Sequence, residues 1–328
     1  MNTPLWKQVR SRLACRQLPG RPDALARQTH AWLEARMLVS AFYAGLLYFA
    51  LTDAPSWAEL SEMGQAGLLW PVAWAHVTGL PVAAAVVTVL YLTGALAAAI
   101  APGHRLGRAL AAFGMLEFTA LHYSAGKIGH GTHLWLLAAI VLIFLPDVGR
   151  SPGRRERQSY LNVFWTAHAL ILLTYSMSGL GKLLGALRQA SQGQITAFHP
   201  QAMALHIADR LTETGSRSPV GLWLVDHVAV SWPLMLGTIY LQIFTFWSIF
   251  RPSLLRLWTG GLIAFHVATY WVLGIRFAPP ILLLAMWGLA SPFLPSQTPL
   301  KVMLTDLPIA GFVIKKWLKS PSVSHSMP

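Results

Sequence analysis

Long apolar runs separated by short basic segments dominate the chain from Leu33 to Phe293. A transmembrane helix needs about 20 apolar residues. By that measure the pattern predicts eight spans, roughly Leu33–Thr52, Leu80–Ala101, Leu110–Tyr123, Leu134–Leu145, Leu161–Gly181, Leu224–Phe250, Leu257–Leu273 and Pro279–Phe293. The third and fourth are short and would need tilting or cover from neighbours. Leu68–Val77 is apolar as well, but Pro71, His76, Gly79 and Pro81 break it, which suits an interfacial segment. The longest segment between spans is expected to be an outer loop from about Lys182 to Gly221, and no repeat, low-complexity tract or soluble domain is visible. The expected fold class is all-α, a polytopic membrane helical bundle of about eight transmembrane helices.

Composition agrees with this pattern. Hydrophobic residues make up 55% of the 328 positions and charged residues only 11%, where soluble domains carry about 25% charge. Soluble globular, disordered, collagen-like and disulfide-rich classes are excluded. Cys15 is the single cysteine, so it forms no internal disulfide and no CxxC metal site.

The net charge of +13 would suggest nucleic acid in a soluble protein. Its placement gives another account. With eight spans, five segments fall on one side: the N-terminal arm (Lys7 to Arg27), Arg105/Arg108, Arg150 to Arg157, Arg251/Arg256, and Lys301 to Lys319. They hold 18 of the 25 basic residues, against six on the other side. The positive-inside rule then predicts an N-in, C-in topology. No nucleic-acid partner is expected. The first 30 residues are basic and lack a short apolar core, so no cleavable signal peptide is expected, and the arm reads as interfacial against anionic headgroups. The expected organisation is a basic arm (1–32), a transmembrane domain (33–295) and a basic tail (296–328).

Ionisable groups at membrane depth are costly and ordinarily face a bundle interior or a cavity. Here they gather towards the predicted outer face. Span three contains Glu117 and His122, and the next turn carries Lys127, His130 and His133. Span five ends in Ser176-Met-Ser178-Gly-Leu-Gly-Lys182, and span seven contains His266, followed by Tyr270 and Arg276. Each has a plainer explanation. Lys182 can snorkel its ammonium to the interface. Ser178, Gly179 and Gly181 suit close helix packing, although they would also let a ligand approach the lysine. A lone histidine such as His266 or His168 is ordinarily a hydrogen-bonded core residue. The histidine spacings match no strong zinc or di-iron pattern, so no metal is expected. No P-loop, GxGxxG, GxSxG or CxxCH motif is present, and no pair of broken helices in matching halves is evident.

Four segments, in order, resemble the transmembrane part of the vitamin K-dependent gamma-carboxylase family and its bacterial relatives with the horizontally transferred transmembrane domain. Tyr175-Ser-Met-Ser-Gly179-Leu-Gly-Lys182-Leu resembles the family's Y-(x)3-G-x-x-K-L stretch. The resemblance places Lys182 on the lysine taken as the base acting on the reduced quinone, and Gly181 where a second lysine is common. Lys127 to Leu134 resembles K-(x)4-N-H-S-Y-L, with His133 on an active-site histidine and Thr132 replacing the asparagine. Ile143-Phe-Leu-Pro146-Asp147 looks like a family helix ending. Phe265-His266 through Gly274 to Phe277 resembles F-H-(x)6-I-G-x-F more loosely, and Ser291-Pro292-Phe293 is also similar.

The resemblance implies a reduced quinone, of vitamin K or menaquinone type, as cofactor. It implies catalytic roles for Lys182, His133 and His266, with Lys127, His130, His122, Tyr270 and Arg276 as candidates for contacts to the quinone. Desolvation favours the neutral amine, the form in which a lysine serves as general base. The family's large lumenal domain has no counterpart in these 328 residues, so carboxylation of a propeptide-bearing protein is not expected. What remains is quinol deprotonation, reaction with oxygen, and epoxidation or proton abstraction from a small or peptide substrate on the outer side. Two other classes stay open: a non-catalytic accessory or maturation subunit in a peptide or redox system, and a small-solute transporter. The expected location is the bacterial inner membrane.

Overall fold

Apolar helix-forming runs fold as helices. The computed structural model describes residues 24–53, 67–124, 131–148, 152–295 and 298–319, and among these it contains no strand. Among the described residues, three helices are long and apolar enough to cross a membrane: His30–Asp53 within α1 (Ala24–Asp53), α3 (Leu80–Ile100) and α6 (Arg154–Ser191). A fourth is added if α8 (Pro219–Asp226) and α9 (Val228–Ile243), bent by 105° at their junction, count as one span. The remaining expected spans fall in helices that are shorter or less apolar: α4 (Arg105–Ser124), α5 (His133–Leu142), α11 (Pro252–Leu273) and α12 (Ala278–Leu284), which runs into a π turn at Ala285–Leu289. Short α2 (Ala75–Thr78) and α10 (Trp247–Phe250) complete this part of the chain.

Two expectations need correction. The apolar run Leu224–Phe250 does not form one continuous span, because the helix breaks at His227 and ends again at Phe244. The Lys182–Gly221 stretch is not simply a loop either. Helix α6 continues to Ser191, and an amphipathic α7 (Ala202–Thr214) follows.

The helices group into two units, one of Met1–Thr174 with Phe277–Pro292 and one of Tyr175–Arg276 with Phe293–Pro328. In the first, small residues let α3 and α4 pack backbone to backbone. A Cβ added at Gly94 would lie 2.5 Å from the Leu110 backbone, and one at Gly114 2.6 Å from that of Tyr91. Beside them lies a buried aromatic core. Phe42 stacks on Trp135 (4.8 Å) and contacts Trp287 (5.4 Å), which meets Phe164 at 4.8 Å. Fully buried Arg108 donates to the carbonyls of Pro102 and Leu145 and pairs with Asp147 at 3.1 Å. One side chain therefore holds the turn after α3 against the end of α5.

The second unit is built differently. Ile207, Leu211, Leu224 and Val272 form a small core joining α7, α8 and the end of α11. Ser218 caps α8 by accepting from Gly221 N (2.8 Å) and donating to Trp271 O (2.6 Å). Beyond α11 come two short helices, α13 (Leu300–Asp306) and α14 (Ala310–Lys319).

Candidate functional site

The motif-bearing end of α6 lies in the second unit, and its side chains do distinct jobs. Ser176 is buried, and its hydroxyl accepts from Phe246 N at 2.8 Å. It thereby satisfies an amide freed where the helical run breaks between α9 and α10. Gly179 faces the same break, where an added Cβ would sit 2.5 Å from Ile243 N. Close packing therefore explains these two positions. It does not explain Gly181, where an added Cβ meets nothing within 4 Å.

Tyr175 and His266 make a buried polar pair between this helix and α11. The phenol oxygen and His266 Nε2 are 2.7 Å apart, and both residues are buried. His266 is thus a hydrogen-bonded core histidine, as the plainer view of it expects, but its partner is another titratable side chain. Tyr175 was not among the residues singled out by chemistry. A tyrosine seven residues before the lysine, on the same helix face, is the signal that would have found it.

Lys182 lies about 10 Å further along α6 on that face, since seven residues rise about 1.5 Å each. It is half-buried, and its ammonium donates to Ser178 Oγ at 3.1 Å, one turn back. With Gly181 open beside it, the lysine is reachable from the side. Tyr270 and Arg276 form a separate exposed pair at the end of α11, the guanidinium lying 5.4 Å from the ring centroid.

The remaining candidates belong to the first unit or fall outside the description. His133 opens α5, and its ring meets the edge of Tyr123 (5.3 Å, 88°). The Tyr123 hydroxyl is 3.2 Å from Thr132 Oγ1, within hydrogen-bonding distance. His122 is exposed beside Tyr123 and interacts electrostatically with Asp53. Glu117 is buried and accepts from Trp74 Nε1 at 2.9 Å, which fastens the Leu68–Val77 segment to α4. His168 is fully buried in α6, with no hydrogen-bond partner at Nδ1 among the described residues. Lys127 and His130 lie outside the described residues. Among the described residues, no three histidine, cysteine or carboxylate side chains gather as a metal site would require.

No family model matches the chain, and no curated protein or solved structure matches it.

Proposed function

We propose that this is a multi-pass inner-membrane protein with N-in, C-in topology that uses a reduced quinone in oxygen chemistry, and that Lys182 is its general base. The observation that carries the proposal is the arrangement on one face of α6. A half-buried lysine beside an open glycine stands two helical turns from a buried Tyr175–His266 pair. Arg108 supports the topology, because it ties together two turns that the charge rule assigns to the same inner side.

A hydroquinone fits the residues present. Its flat ring needs an open flank, which Gly181 would provide, and its hydroxyl needs a basic acceptor, which the Lys182 amine would provide once it has lost its proton. When bound, the quinol supplies the electrons for reaction with oxygen. Nζ of Lys182 takes the hydroxyl proton, and Ser178 holds the amine in place. The Tyr175–His266 pair ties α6 to α11 two turns from the lysine and orients rather than reacts. A role for His133 rests on the resemblance alone.

The test is to supply the purified protein with reduced menaquinone or vitamin K and oxygen, and to measure quinone epoxide. Oxygen-dependent epoxide that disappears in Lys182→Ala supports the proposal. Absence of turnover, or full turnover in that variant, overturns it.

An accessory, non-catalytic role is the second possibility, and a specific observation favours it. Ser176 and Gly179 are engaged in packing against the break after α9, so these two positions of the stretch are explained without chemistry. Retained cellular function after Lys182→Ala, with a partner captured by crosslinking, would favour that role.

A further inference from the structure

The C-terminal helix α14 presents a face that no described part of the chain covers. Within the helix, Phe312, Val313 and Lys316 share one side, with Val313 and Lys316 within about one helical turn of Phe312; Lys315 adjoins Phe312, and Ile309 is exposed in the turn that leads in. Ile309, Phe312 and Val313 are 64%, 74% and 58% exposed, and both lysines are exposed. The opposite side of the helix is occupied. Gly311 packs on Thr305, where an added Cβ would lie 2.5 Å from the carbonyl oxygen.

The helix is held in place at its base. Asp306 accepts from Ser253 Oγ at 2.6 Å and pairs with Arg251 at 3.7 Å. Trp247 Nε1 donates to Asp306 O, and the Tyr240 hydroxyl donates to Pro308 O. Ile309, a β-branched residue at φ 60°, makes the turn into α14. L side chains avoid that conformation, so the surrounding contacts must impose it.

Charge identifies the occupant. From residue 298 to 319 the only carboxylate is Asp306, which is already engaged, while Lys301, Lys315 and Lys316 are exposed, as is Arg256 early in α11. Lysines flanking exposed aromatic and aliphatic side chains suit an anionic bilayer surface, with the ammonium groups at the phosphates and Phe312 below them. We infer that α14 is a surface-docking helix for anionic phospholipid, moored to its unit through Asp306. The inference is independent of any chemistry at Lys182.

The test uses the full chain with Cys15→Ser and Val313→Cys, labelled at position 313 with an environment-sensitive nitrobenzoxadiazole dye. The protein is placed in nanodiscs of phosphatidylcholine alone or mixed with phosphatidylglycerol. The expected result is brighter, blue-shifted emission only in the anionic discs, reversed by high salt. Adding Lys315→Gln and Lys316→Gln should lower the docked-to-undocked ratio about thirtyfold, or about fivefold per lysine. Emission that is equal in both lipid mixtures overturns the inference. A label exposed to water in both means that nothing docks. A label shielded in both means that protein covers the face.

Discussion

The packed helix pair α3–α4 and the broken pair α8–α9 solve the same problem in opposite ways. In a low-dielectric setting every backbone amide and carbonyl must find a partner. Helices α3 and α4 stay continuous, so their amides are satisfied internally and contact is left to small residues such as Gly94 and Gly114. Around α8–α9, the breaks at His227 and Phe244 release backbone groups, and polar side chains are spent restoring them. Ser176 serves Phe246 N, Ser218 serves Gly221 N and Trp271 O, and Trp258 Nε1 serves Leu241 O at 3.1 Å. Against that pattern, the two side-chain pairs on α6, Tyr175–His266 and Lys182–Ser178, repair no backbone. Polar groups left over from structural repair are the ones to examine for chemistry.

The largest expected effect tests the packed pair. Gly114→Leu places side-chain atoms where the Tyr91 backbone lies, and at more than about 4 kcal/mol it should abolish monodisperse protein on size-exclusion chromatography. Gly181→Ala is the control, with open space around it. It should raise the melting temperature slightly, by the roughly 0.5–1 kcal/mol that alanine gains over glycine in a helix.

Next comes Arg108→Met. It leaves two carbonyls and Asp147 without their donor and should cost about 3 kcal/mol in thermal unfolding. Ser176→Ala strands the Phe246 amide and should cost about 1–3 kcal/mol. If it costs nothing, the contrast between repaired and continuous helices fails. Tyr175→Phe removes the phenol from His266 Nε2 and should cost about 1–2 kcal/mol. The smallest structural effect is expected for Lys182→Ala, within about 0.5 kcal/mol, since its bond to Ser178 is exposed. A large loss of epoxide with an unchanged melting curve would separate Lys182 from the repair groups.

Particular residues mark how far the sequence was legible. The apolar runs located α1, α3 and α6, because burial in lipid requires uninterrupted hydropathy over a fixed length. The run Leu224–Phe250 misled, since both arms of the bend at His227 are equally apolar and hydropathy carries no direction. Gly179 was correctly suspected of packing, but Gly181, two residues on, has the same composition cue and no contact. A helix places residues two apart on opposing sides, and only neighbours reveal which side is covered. Lys182 and His266 were visible as ionisable groups in apolar runs. Tyr175 was less conspicuous, because a tyrosine in a membrane helix is common and its partner is 91 positions away.

The sequence alone determined that the chain is helical, that its charge lies in a few short segments, and which ionisable groups interrupt its apolar runs. These are local properties, set by hydropathy and spacing. The tertiary structure decided which polar groups are spent on repairing backbone and which remain. It gave Glu117 to Trp74, Ser176 to Phe246 and His266 to Tyr175. Such pairings depend on where helices break and which faces meet, and neither is encoded in the order of residues along a single run.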